Sequence, residues 1–274
     1  MQNKKSKYAL IVFFLFTIIS VYPQATAKML EKAYKHQSIK ELKNFFYAWS
    51  KEVPPITGEE LATYSDTIQQ AYKAFVALYK PYGGEFIIIR TTFRISFTSK
   101  ICCTEQEVRN RINNWRIADS IKSKYLENLE RNDDYIKCRW CDNRSYNEKL
   151  THLIEDFRPA FQANGKVQLF LTKKHEKILS DFLGIGNKDM KKEEIEKRKN
   201  FLENCIKVSY IGMGGEFLSI IPQSTNFSNS IVFDKDMEYF TNWSGGVSYG
   251  EEYIYKKKGD TWVYVTETGA SYIE

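Results

Sequence analysis

Five cysteines, Cys102, Cys103, Cys138, Cys141 and Cys205, and three histidines, His36, His152 and His175, are the residues from which metal or nucleophilic chemistry would be built in this chain. Paired thiolates on tight turns make tetrahedral zinc sites. Cys102 and Cys103 are adjacent, however, and adjacent side chains rarely converge on one ion. The "CRWC" stretch at 138–141 has the spacing of a thioredoxin-type redox pair. That chemistry needs the first thiol at a helix N-terminus behind a buried strand, where its pKa is lowered. Here "NDDYIK" precedes the motif and "DNRSYN" follows it, and both are polar and turn-rich. The expectation is a staple: Cys102 or Cys103 bonded to Cys138 or Cys141, or both pairs at once. Closing a loop of about 35 residues would stabilise the fold by roughly 3–4 kcal/mol in the chain-entropy treatment. Cys205, in "ENCIKVSYI", reads as a buried free thiol.

No histidine is spaced with another histidine or a carboxylate as metal pairs are, and His175 in "TKKHEKI" reads as an exposed helical residue. Neither a metal nor a cofactor is expected. There is no G-x-S-x-G elbow, and "GIGNKDMKKE" at 184–193 imitates a phosphate-binding loop without its third glycine. Glycoside-type hydrolysis needs only two acids at the right separation. Glu85, Glu216, Glu251 and Glu252, on or beside strands, are the candidates for it. The plainer reading of each is a solvent-facing strand residue, and no residue is assigned as catalytic. The tetrad Gly-Gly-Glu-Phe occurs in "YGGEF" at 82–86 and again in "MGGEF" at 213–217. The diguanylate cyclase signature carries two acids between its glycines and its phenylalanine, and each copy here has one. Two glycines permit the positive φ of a turn, so Phe86 and Phe217 are expected to begin strands.

The positioning elements follow from periodicity. Lys4, Lys5 and Lys7, then an uncharged run from Tyr8 to Tyr22, then Ala25-Thr26-Ala27 make the three parts of a secretory leader. Residues 1–27 are read as a signal peptide with cleavage near Ala27–Lys28, and no cysteine follows the run closely enough for a lipoprotein anchor. The mature chain is expected in the periplasm or outside the cell, with no membrane association after cleavage. Removing three lysines lowers the net charge from +6 to +3, too little to imply a nucleic-acid partner, and "KDMKKEEIEKRK" at 188–199 reads as a solvated helix face. A hydrophobic content of 43% is enough for a globular core.

Ser38-x-x-Glu41, Thr57-x-x-Glu60 and Thr104-x-x-Glu107 fit the capping box that opens a helix. Apolar stripes follow each: Leu42 to Trp49, Leu61 to Leu78, and Val108 to Leu129. "EFIIIRTTFRISF" at 85–97 alternates as one long strand or a bent pair, and 132–149 reads as a cysteine-bearing excursion. Residues 28–149 and 150–274 form two regions, or one continuous domain. Asn164-Gly165 is a turn, "TKKHEKILSDFLG" a helix capped by Gly184, and "KKEEIEKRKNFLENC" another helix. Strands follow at 206–211, 216–221, 230–234, 237–241, 246–256 and 261–266, the last pair joined at Gly259-Asp260. The class expected is α+β, with amphipathic helices packed on a twisted antiparallel sheet.

From Phe157 onward, "FRPAF", "FLTKKHEKILSDFLG", "KRKNFLENCIKV" and "YKKKGDTWVYV" resemble a set of uncharacterised secreted proteins of Bacteroidetes-type bacteria. That resemblance implies export and an α+β fold and transfers no site residues. Helices leading into a sheet closed by that hairpin are also similar to the NTF2-like superfamily, which implies an NTF2-like or cystatin-like arrangement. The function expected is a non-catalytic binding or interaction protein for a protein or small-molecule ligand. The alternatives are a periplasmic hydrolase using paired carboxylates and an immunity or inhibitor-type protein.

Overall fold

A computed structural model describes residues 24–80, 84–98, 101–114, 116–131, 152–161, 163–185, 189–211, 217–220, 230–245 and 250–270. Most of the leader, Cys138, Cys141 and Glu216 lie outside them. In chain order the elements are α1 (Ala27–Lys35), α2 (Ile39–Glu52), α3 (Gly58–Ala62), α4 (Asp66–Leu78), β1 (Phe86–Arg90), β2 (Phe93–Thr98), α5 (Glu105–Asn113) and α6 (Asp119–Arg131). There follow β3 (His152–Ile154), β4 (Val167–Leu171), α7 (Lys173–Leu183), α8 (Lys192–Leu202), β5 (Val208–Ile211), β6 (Phe217–Ile220), β7 (Ser230–Asp234), β8 (Tyr239–Gly245), β9 (Gly250–Lys258) and β10 (Thr261–Ala270). The class is α+β. Phe86 and Phe217 each open a strand, as the double glycines imply. Among the described residues, no helix is long and apolar enough to cross a membrane.

The chain forms two compact units, each assembled from several stretches. The first takes residues 1–54, 84–88 and 166–221, and the second takes 55–83, 89–165 and 222–274. In the first unit, Leu42, Phe45, Phe46 and Trp49 fall on one face of α2 and are fully buried. They join Phe86 and Ile88 of β1, Leu169 and Leu171 of its partner β4, and Leu179, Phe182 and Leu183 of α7 in one core. Trp49 Nε1 donates to the Phe170 carbonyl at 2.9 Å, which fixes α2 against β4. Gly184 closes α7 at φ 68°. That left-handed backbone is what requires glycine there; the end of the Met190 side chain packs over it.

α1 was not foreseen, and it uses part of the stretch read as leader. The Thr26 hydroxyl caps it by accepting from Met29 N at 3.3 Å, and Ala25 is fully buried in the core. A chain begun at Lys28 is therefore expected to be about 2 kcal/mol less stable than one begun at Ala25, from a lost cap and a lost buried methyl. Urea unfolding of the two purified forms checks this, and equal midpoints would contradict it.

In the second unit, a six-stranded sheet has the order β10-β9-β8-β7-β2-β3. It was expected to be antiparallel and is mixed, because β2 runs parallel to β7 in the register Ile95↔Ile231 and Phe97↔Phe233. A parallel neighbour requires a long crossover, and more than a hundred residues separate the two strands in the chain. Phe97, Phe233, Phe240, Tyr255 and Tyr264 stand opposite one another across five strands. Successive ring centroids are 6.1, 6.0, 4.6 and 5.7 Å apart. Helix α4 brings Phe75 to 5.1 Å from Phe157, which stacks on Phe93 of β2 at 4.3 Å.

Two apolar stripes expected as continuous helices are each broken. α3 ends at Thr63 and α4 restarts after Ser65 with Asp66 in its first turn. α5 ends at Asn114 and α6 begins at Asp119. At the first break the Thr63 hydroxyl donates to the Glu60 carbonyl at 2.7 Å, a local bond that competes with continuing the helix. Of the three capping boxes, only Thr104–Glu107 closes reciprocally. Ser38 and Thr57 do cap their helices, but Glu41 turns to Lys32 and His36, and Glu60 turns to Arg158.

Candidate functional site: an apolar cleft beside the closing hairpin

The second unit contains a cleft of about 430 Å³. One wall is α4, whose positions Tyr72, Lys73, Val76 and Ala77 recur at helical spacing. The opposite wall is the β9–β10 hairpin, which supplies Asp260, Thr261 and Trp262. Ile56, Gly58 and Leu61 close one end from α3 and the turn before it. Gly259, at φ 60°, makes the tight turn that brings Asp260 and Trp262 to the wall.

The frame around the cleft is stapled by polar contacts behind it. Ile56 N donates to the Arg158 carbonyl at 2.8 Å. The Arg158 guanidinium donates to Glu60 at 2.7 Å and to Asp156 at 2.9 Å. Tyr72 accepts from Arg158 N at 3.2 Å and donates to the Asp156 carbonyl at 3.3 Å. Burial raises the Tyr72 phenol to about 12, so it stays a neutral hydrogen-bonding group.

Three polar groups mark the hairpin end. Lys73 Nζ is ion-paired with Asp260, and that contact holds the Asp260 carboxyl below its ordinary range. Lys257, directly opposite Trp262 in the ladder, places its Nζ 5.9 Å from the indole centroid. Trp262 is only 6% exposed, yet its Nε1–H has no acceptor among the described residues. A buried donor left unsatisfied is uncommon in folded proteins. Val76, on the facing wall, is 47% exposed although apolar.

The residues singled out from sequence mostly lie elsewhere. Glu85, in the first unit, accepts from Lys43 at 2.5 Å and from the Tyr47 hydroxyl. Lys43 foremost, then Tyr47, holds its carboxyl below the usual range, which suits an ionised acceptor and not a proton donor. Glu252, in the second unit, is buried and not solvent-facing as expected. Glu216 and the Glu251 side chain lie outside the described residues. Asp234 is the carboxyl that burial raises, and it accepts from Glu238 N and Tyr239 N at 2.8 and 3.1 Å to close the β7–β8 turn. It is a turn cap.

His175 corrects the sequence reading. It is 1% exposed, on the same face of α7 as Leu179, Phe182 and Leu183. Its ring stacks on Trp49 with centroids 4.5 Å apart and planes within 5°. The lysines that flank it suggested solvent, but helical phase turns only His175 inward. Cys205 is a buried free thiol, as expected, and burial raises it to about 11, which leaves it inert as a nucleophile. Among the described residues, no group of three or more His, Cys, Asp or Glu is placed to hold a metal ion.

The cleft was only half legible. The Gly259-Asp260 turn between two strands pointed to the hairpin, whereas nothing in the sequence placed α4 against it. No family model, no curated protein and no solved structure matches the chain.

Proposed function

We propose that the protein is an exported, non-catalytic binding protein, and that the cleft beside the closing hairpin is where it takes a small, mainly apolar molecule. The observation that carries this is the cleft itself: about 430 Å³, walled by Ile56, Leu61, Tyr72, Val76 and Trp262, with a few polar groups at one end. Ligand sites in proteins have this size and this mixture. Export is supported by the basic, apolar and small-residue order of positions 4–27. The same reading includes a disulfide from Cys102 to Cys138 or Cys141, a bond that would persist in an oxidising compartment.

Filling the cleft tests the reading. A side chain at Gly58 would meet nothing within 4 Å, and its backbone is not left-handed, so Gly58→Phe is expected to fold normally. The neutral dye N-phenyl-1-naphthylamine should bind the natural protein and bind Gly58→Phe at least tenfold more weakly. Equal affinity in the two proteins, each checked by circular dichroism, would place binding elsewhere.

A further inference from the structure

We infer that the cleft selects a medium-chain carboxylate, with its hydrocarbon chain along α4 and its head group at the hairpin end, beside Lys73. This deepens the binding function proposed above and rests on it. A methylene takes roughly the 30 Å³ of a water molecule, so 430 Å³ suits a chain of about a dozen carbons. The charge at the two ends differs. Ile56 and Leu61 line the cleft without charge, while the hairpin side holds Lys73; Lys257 lies outside the lining, beside Trp262 and near enough to help hold the Asp260 carboxyl low.

Against Lys73, the one carboxylate among the described residues lining the cleft is Asp260. Its side chain is 79% exposed, whereas that of Lys73 is 34% exposed, so the lysine is the more deeply set side chain of the pair. An exposed ion pair contributes little net stability. Asp260 can therefore return to water while a ligand carboxylate takes its place on Lys73. A cationic head would meet Lys73 and Lys257 with only Asp260 to offset them.

The test titrates the full mature protein with dodecanoate, dodecan-1-ol and dodecyltrimethylammonium, each below its micelle concentration, following tryptophan fluorescence. Dodecanoate is expected to bind at least tenfold tighter than the alcohol, and the cation weakest. Lys73→Met should erase the advantage of the acid and leave the alcohol unchanged, while Asp260→Asn should tighten the acid severalfold. Lys257→Met provides a second cation deletion should Lys73→Met fail to fold. Dodecanoate binding no tighter than dodecan-1-ol, or an acid-to-alcohol ratio unmoved by the lysine variants, overturns the carboxylate assignment and leaves the apolar binding function standing. Failure of both dodecanoate and dodecan-1-ol to bind overturns the two together.

Discussion

Acidification from pH 7.5 to pH 4.5 is expected to remove about 3 kcal/mol of stability from the first unit, through His175 alone. The ring is 1% exposed and sandwiched on Trp49, with Thr172 Oγ1 2.8 Å from Nδ1. Nε2 lies 3.3 Å from Glu52 Oε2 but is not aligned as a hydrogen bond. Glu52 also accepts from Lys174 at 2.6 Å, so the charge facing the ring is already partly spent. Burial foremost pushes the imidazole down to about 4; Lys174 adds to this and Glu52 opposes it. An unfolded histidine titrates near 6.5. Above that value both states are neutral and the full stability is present. Between about 6.5 and 4 the unfolded chain binds a proton that the folded chain refuses, so stability falls as the pH falls. Glu41, Glu85 and Glu194, held low by their cationic partners, contribute in the same direction only once the pH drops below the ordinary carboxylate range. Urea unfolding between pH 6.5 and 5 therefore isolates the histidine. His175→Phe should flatten the dependence in that window, whatever its own stability. A natural protein equally stable at pH 7.5 and 4.5 would refute the assignment.

Local signals in the sequence were accurate where one side chain acts on its own backbone. Ser38, Thr57, Thr104 and Gly184 all cap helices where their types place them, and Gly259 turns the closing hairpin. What failed were inferences that depended on a partner supplied by another element of the fold. Glu41 and Glu60 have the spacing of capping boxes, yet a cation supplied by another element outbids a backbone amide. His175 sits among lysines that suggest solvent, and only the position of Trp49, 126 residues earlier, makes it a core residue. The parallel pairing of β2 with β7 leaves no local trace, because alternation fixes which face a residue takes and not which strand lies beside it. The cleft shares this property: its walls come from residues 56–77, Ala160 and 260–262. Each stretch reads as ordinary core or turn until the fold brings them together.

Arg198→Ala is expected to cost about 3 kcal/mol, and Arg198→Lys to recover less than half of it. α8, "KEEIEKRKNFL", gives only Phe201 and Leu202 to the core, so packing alone holds it weakly. The remaining anchor is Arg198, 15% exposed in a run of charges that sequence assigned to solvent. Its guanidinium carbon lies 4.9 Å from the Tyr34 ring centroid and 4.8 Å from that of Phe182. Nη1 donates to Glu31 at 2.6 Å and to the Phe182 carbonyl at 3.1 Å, and Nε donates to Glu194 at 2.8 Å. One planar cation thus joins α1, α7 and α8. Each ring contact contributes about 0.5–1 kcal/mol at a partly exposed site. Removing the cation also takes from Glu31 and Glu194 the guanidinium from which both carboxylates accept. An ammonium restores that charge but neither the flat stacking surface nor the divergent donors. Urea unfolding at neutral pH reads both variants. A loss below 1 kcal/mol for Arg198→Ala would mean the contacts behave as an ordinary surface pair, and the union of the three helices would then have to come from Phe182, Phe201 and Leu202 instead.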